Sequence, residues 1–250
     1  MPDELAFLSL TEAVRRIRSG DLSPVKYTQA LLDQIAAHDG QLDSFLRVLD
    51  DGALESAALA EIAVKNGETL GPLHGVPFAL KDIVDVAGLP TTAQSQILAQ
   101  QPPKTDDAAV TAKLHDAGGI LLGKTATHEF AIGGPSFDLP WPPARNPWNL
   151  ARYPGGSSSG SGAAVAAGLV PMAIGTDTGG SVRNPATACG IVGMKPTYGR
   201  VSRRGVFPLS FSLDHVGPMT RNIADNALML NVIAGHDPGD PGSANLPAPD

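Results

Sequence analysis

The 250 residues carry 18 basic and 25 acidic side chains, a formal net charge of −7. This argues against a dedicated nucleic-acid binder, because duplex phosphates call for a basic face. Hydrophobic residues make up 42% and charged residues 17%, which excludes a disordered chain. The single cysteine, Cys189, excludes an internal disulfide framework and a cysteine-cluster zinc site.

The elements follow in chain order. Residues 5–17 carry apolar side chains at helical spacing, ended by Gly20. Ser23-Pro24 opens a second helix, with serine as N-cap and proline at the first helical position. It runs to about Gly40. Residues 53–65 form a third amphipathic helix, closed by Asn66-Gly67. Beyond Gly71, short apolar runs alternate with glycine and proline, and residues 76–80 read as a strand. A helix over 108–117 and a strand over 120–122 follow. Residues 135–154 are irregular and hold Trp141 and Trp148. A glycine-serine run over 155–162 leads into a small-residue helix over 163–168 and a strand over 170–174. A short strand over 191–194 and a helix over 223–234 complete the pattern. The alternation predicts one α/β domain over 1–250. No apolar run reaches the ~18 residues of a membrane span. The first ten residues lack the basic start of a secretory signal. A cytoplasmic protein with no membrane contact is the expectation.

Three motif matches fail on mechanism. Residues 118–125 (Gly-Gly-Ile-Leu-Leu-Gly-Lys-Thr) fit the P-loop pattern letter for letter. A P-loop needs a bent backbone between strand and helix, and here the middle is an apolar strand. Residues 156–160 fit the G-x-S-x-G elbow, but the proline-rich stretch before them cannot be its strand. Ser23 to Lys26 fits S-x-x-K, which reads more simply as a helix start. The six histidines show no metal-binding spacing, so no metal and no organic cofactor is expected.

Three features remain. Lys81 follows the apolar run 76–80, Ser157 opens the serine run, and Ser181 follows Gly179-Gly180 with Asp177 just before. A serine hydroxyl needs a base to become a nucleophile. No histidine fits, so lysine is the candidate. A free lysine has a pKa of ~10.4 and a useful base sits near ~7–8. Burial among Phe78, Ala79 and Leu80 disfavours the charged form. The N–H groups of Thr178, Gly179, Gly180 and Ser181 are suited to an oxyanion hole.

These segments resemble the amidase signature family. The likeness rests on residues 75–82 (Gly-Val-Pro-Phe-Ala-Leu-Lys-Asp), 155–162, 175–181 (Gly-Thr-Asp-Thr-Gly-Gly-Ser), 189–197, 199–203 and 212–218. It covers nearly the whole chain and implies a mixed β-sheet covered by helices on both faces, truncated at the C-terminal end. It implies a Ser–Ser–Lys triad with Ser181 as nucleophile, Ser157 as the bridging serine after a cis peptide bond, and Lys81 as base. It also implies that Asp177 and Arg183 support the nucleophile loop. Ser159 and Ser161 depart from the commoner form of the serine run. His128 and residues 135–143 fall where the family varies its substrate path. Cys189 lies in a strand-like motif and reads as a packed small residue.

The resemblance implies hydrolysis of a linear carboxamide through an acyl-enzyme. A stand-alone amidase ranks first, because the Trp141–Trp148 region departs from the glutamine-hydrolysing component of a tRNA-dependent amidotransferase. That component ranks second, and a catalytically silent fragment third. The expected partner is a small-molecule amide, and family likeness suggests a homodimer. The family's domain is about twice as long, so the chain is expected to lack a C-terminal portion, to be poorly stable alone and to be weakly active.

Overall fold

The computed structural model describes residues 2–248, so Met1, Pro249 and Asp250 of the 1–250 unit lie outside the described residues. The chain begins with α1 (Pro2–Ala6), α2 (Leu10–Arg18) and α3 (Pro24–Leu42). The single helix expected over 5–17 is therefore two. Ser9 breaks it, because its hydroxyl accepts from Glu12 N–H at 3.2 Å and starts a new helix. Leu10, Ala13 and Ile17 then share the buried face of α2. Ser23 caps α3, accepting from Lys26 N–H at 3.1 Å, with Pro24 at the first helical position. This is the structural role of the S-x-x-K match.

Next come β1 (Phe45–Val48), α4 (Asp50–Lys65), β2 (Pro77–Lys81), α5 (Ala109–Asp116) and β3 (Ile120–Thr125). A single 3-10 turn, Glu129–Ala131, precedes the irregular stretch. Then follow α6 (Ser159–Ala166), β4 (Met172–Asp177), α7 (Arg183–Cys189), β5 (Val192–Gly193), β6 (His215–Thr220) and α8 (Ile223–Ile233). Cys189 is thus the buried end of a helix, ahead of the strand expected at its motif.

The six strands form one mixed sheet in the order β1-β3-β2-β4-β6-β5. Strands β3, β2 and β4 run parallel at its centre, and β1, β6 and β5 pair antiparallel outside them. Every residue of β2 and β4 is buried, which requires cover on both faces and explains their unbroken apolar runs. The P-loop match dissolves here. Its residues 120–125 are β3, and Lys124 points inward to Asp82 at 2.8 Å.

The helices are locked to the sheet by polar ties at their ends. Asp225 of α8 accepts from the N–H groups of Leu10 and Thr11 at 2.8 and 2.9 Å, which fixes the start of α2. Arg221 donates to the carbonyls of Val165 and Val170 at 3.2 and 3.0 Å. Lys113 caps the end of α8 through the Ala234 carbonyl at 2.6 Å.

The three parallel strands point the same way, and β4 runs two residues past the level at which β2 and β3 end, placing Lys81, Thr125 and Asp177 along one edge. In parallel sheets this is the edge where ligands bind.

The Lys124–Asp82 pair is almost fully buried. Removing one member of such a pair strands the other charge, at a cost of ~3–5 kcal/mol. Asp82→Ala is therefore expected to lower unfolding free energy in urea by about that much. Asp82→Ala with Lys124→Met recovers most of the loss; equal instability of single and double variants contradicts the assignment.

Candidate active site

Lys81 is the last residue of β2 and is fully buried. The parallel register pairs Lys81 with Thr125 and Leu80 with Lys124. Alternation then sends Lys81 and Thr125 to the face covered by α6, and Leu80 and Lys124 to the other. Consistently, Thr125 Oγ1 lies 2.7 Å from Ser161 Oγ of α6.

On that face Lys81 Nζ lies 2.6 Å from Ser157 Oγ and 2.8 Å from Thr176 Oγ1. Both contacts are neutral hydroxyls. Burial therefore dominates and pushes the ammonium down from its ordinary value to about 7, while the more distant Asp177 and Asp214 pull weakly the other way.

Ser157 is buried and follows a cis peptide bond with Gly156. His128 holds this turn. Its N–H donates to the Ser157 carbonyl at 3.1 Å, and its ring stacks on Tyr153 at 5.8 Å between centroids. A Cβ on residue 156 would lie 2.2 Å from His128 Cε1, so glycine is required there. Burial, and then the charge on Lys81, push the His128 imidazole below its usual range.

Ser181 sits in the loop between β4 and α7 and is half-buried. Its carbonyl accepts from Ser158 N–H at 3.2 Å, which fastens this loop beside the serine run. Among the described residues no hydrogen bond joins the Ser157 and Ser181 hydroxyls. The structure thus brings Lys81 and Ser157 into contact and holds Ser181 alongside through the backbone.

Asp177, at the end of β4, shapes the loop. It accepts from Arg183 Nε at 2.9 Å, from Val182 N–H at 3.2 Å and from Gly180 N–H at 2.8 Å. Burial opposes its charge, but the Arg183 guanidinium and the backbone donors outweigh that and hold the carboxyl below its usual range. Of the four N–H groups expected to form an oxyanion hole, one has a partner. The Gly180 N–H is already engaged by a carboxylate. The N–H groups of Thr178, Gly179 and Ser181 have no partner among the described residues and remain available.

Ser158, the centre of the G-x-S-x-G match, is fully buried. Its hydroxyl accepts from Thr176 N–H at 3.2 Å and donates to the Thr176 carbonyl at 3.3 Å. It splices α6 to β4 and does not face a substrate.

Two polar groups escape a reading of the sequence. Thr176, the second partner of Lys81, lies one residue from the lysine's level on the neighbouring strand, and only the β2–β4 register reveals it. Asp214 accepts from the Thr178 hydroxyl at 2.5 Å and from the N–H groups of Leu209 and Ser210, both at 2.9 Å. It ties the loop before β6 to the Ser181 loop. Trp148, by contrast, donates to the Cys189 carbonyl at 2.7 Å and lines a surface groove with Phe7 and His38.

Known proteins share this architecture. The amidase family model matches residues 26–250. The A component of the glutamyl-tRNA(Gln) amidotransferase of Moorella thermoacetica is 49% identical over 247 residues, which are 99% of this chain and 50% of that protein. The native peptide amidase from Stenotrophomonas maltophilia superposes with a TM-score of 0.90 at 41% identity, over 98% of this chain and 51% of that one. The A component of the same amidotransferase from Thermotoga maritima superposes with a TM-score of 0.82 at 37% identity, over 97% and 50%. The chain spans about half the length of the curated relatives it matches. On its matched motifs, its mixed sheet and these likenesses, the chain belongs to the amidase family.

Proposed function

We propose that this chain carries the chemistry of a carboxamide hydrolase, with Lys81 as base, Ser157 as proton bridge and Ser181 as nucleophile. The observation that carries the reading is the 2.6 Å approach of a fully buried lysine to a serine hydroxyl. A charged lysine there would lack a carboxylate in contact. A neutral one has a lone pair that can accept the Ser157 proton.

Neutral Lys81 takes the Ser157 hydroxyl proton as Ser157 takes that of Ser181. The Ser181 oxygen attacks the amide carbon, and the carbonyl π pair moves to oxygen. The N–H groups of Thr178, Gly179 and Ser181 stabilise that oxyanion. The pair returns as the C–N bond breaks, and the relay runs backwards to protonate the leaving ammonia or amine. Water, deprotonated by the same relay, then releases the carboxylate from Ser181.

A second reading has its own observation. The relatives of Moorella thermoacetica and Thermobifida fusca, at 49% and 51% identity, are both A components of a glutamyl-tRNA(Gln) amidotransferase. In that reading the same relay hydrolyses glutamine for a partner protein. Glutamine hydrolysis that rises on adding that partner together with charged tRNA places it first.

Incubation with a fluorophosphonate is expected to label Ser181. Lys81→Ala is expected to slow labelling ~100–10,000-fold, the usual worth of a general base. Labelling at Ser158, or none in a folded sample, contradicts the relay.

The pH profile has a definite sign. Lys81 is active only when neutral, so kcat/KM rises about tenfold per pH unit below the free-enzyme pKa and levels above it. Burial places that bend at about 7. A profile flat from pH 5 to 9 contradicts a lysine base.

A further inference from the structure

The Gly155-Gly156 turn that carries Ser157 is pressed by two different elements. One is α7, the helix that follows the Ser181 loop. A Cβ on residue 155 would lie 2.5 Å from Pro185 Cα. The Gly156 N–H donates to Asn184 Oδ1 at 3.0 Å. The other is His128. A Cβ on residue 156 would lie 2.2 Å from its Cε1 and 2.3 Å from its Nε2, so the ring edge rests against Gly156.

Both supports are rigid. The His128 carbonyl accepts from Ala131 N–H at 2.9 Å and from Thr127 Oγ1 at 3.0 Å. The Thr127 N–H donates in turn to Gln94 Oε1 at 2.8 Å. Gln94 is buried and lies in the left-handed region with φ 52°, a conformation that persists only where the surroundings enforce it. One face of the His128 ring stacks on Tyr153, the two planes inclined by 26°. On the α7 side, the Asn184 N–H donates to the Gly180 carbonyl at 2.6 Å, which ties Asn184 to the Ser181 loop. The Tyr153 hydroxyl reaches Asn184 Oδ1 at 3.5 Å, so the two supports are linked.

The ring nitrogen shows what kind of contact His128 makes. The side chain is 4% exposed, and Nε2 is buried with no hydrogen-bond partner among the described residues. Such a group forfeits the bond it had in water. At that edge the imidazole therefore acts by filling space and not by bonding. Filling space matters because Ser157 Oγ has to stay 2.6 Å from Lys81 Nζ. The His128 N–H to the Ser157 carbonyl is a single backbone bond, and a turn held by one bond is free to rotate about it.

We propose that His128 and Asn184 are positioning residues that grip Gly156 between them and hold the Ser157 hydroxyl against Lys81 for proton transfer. The inference rests on the hydrolase reading above and adds to it the residues that set the geometry of the relay. His128 acts by the shape of its ring, and Asn184 by its acceptor oxygen. A displacement of about 1 Å in such a relay is worth about 100-fold in rate.

The test is the labelling of Ser181 by a fluorophosphonate over a range of reagent concentrations, which separates the saturating rate from the half-saturating concentration. His128→Ala is expected to lower the saturating rate ~10–100-fold and to leave the half-saturating concentration within about twofold, as for a group that acts on the reaction and not on binding. Added imidazole refills the space left by the ring and is expected to recover most of that rate. Asn184→Ala is expected to cost a similar factor, and Asn184→Asp, which keeps an acceptor oxygen, to recover most of it. Should His128→Ala fail to fold, the Asn184 pair still decides. An unchanged rate in either alanine variant overturns this inference while leaving the hydrolase standing. So does a loss confined to the half-saturating concentration, or one that is not restored in its own variant. A folded parent chain left unlabelled at Ser181 overturns the hydrolase reading and this inference with it.

Discussion

The site depends on a lysine buried with no carboxylate in contact. Lys81 and Lys124 sit on neighbouring parallel strands and are equally sequestered from water. Their environments differ in one respect. Lys124 meets Asp82 at 2.8 Å and forms an ion pair. Among the described residues Lys81 meets the hydroxyls of Ser157 and Thr176 and no carboxylate. Desolvation penalises both charges, and only one is offset by an opposite charge nearby. The strand register makes the distinction, because adjacent residues of β2 and β3 face opposite sides of the sheet.

The rest of the molecule serves this placement. The serine run must come close to the strand ends, and α6 is built from small residues that permit it. A Cβ on Gly160 would lie 2.2 Å from the Ser44 carbonyl oxygen and 2.3 Å from Ala126 N. Ser158 and Ser161 then bond to β4, at the Thr176 and Ile174 carbonyls. On the far side, Asp177 gathers Gly180, Val182 and Arg183 into a rigid turn that presents Ser181. Asp214 anchors the same turn to the loop before β6. Lys81, the serine run and the Ser181 loop are thereby joined through short polar ties.

Much of this is legible in the sequence, for stated reasons. The central strands are buried on both faces, so 76–80 and 120–122 stand out as continuous apolar runs. Helix starts at Ser23 and breaks at glycine follow local rules of capping. Lys81 stands out by its apolar neighbours, and the fold sets its Nζ 2.6 Å from Ser157 Oγ. Other features depend on tertiary pairing. Strand β1 has no fully buried residue and no clean alternation. Strand β6 contains Gly217 and Pro218, which argue against a strand inside a sheet. It tolerates them beside β5, which is only two residues long. The glycine-serine run reads as loop because serine and glycine are weak helix formers, yet α6 begins inside it at Ser159. The engagement of the Gly180 N–H by Asp177, and the role of Thr176, are matters of distance that no one-dimensional pattern contains.

The most direct test of the central claim is the titration of Lys81 itself. Protein labelled with ¹³C at lysine Cε is followed by NMR from pH 5 to 11, with Lys81→Arg used to assign the resonance. A buried neutral base predicts a resonance that titrates near 7, apart from the exposed lysines. A Lys81 signal that remains in the ammonium form until pH 10, with the protein folded throughout, contradicts it.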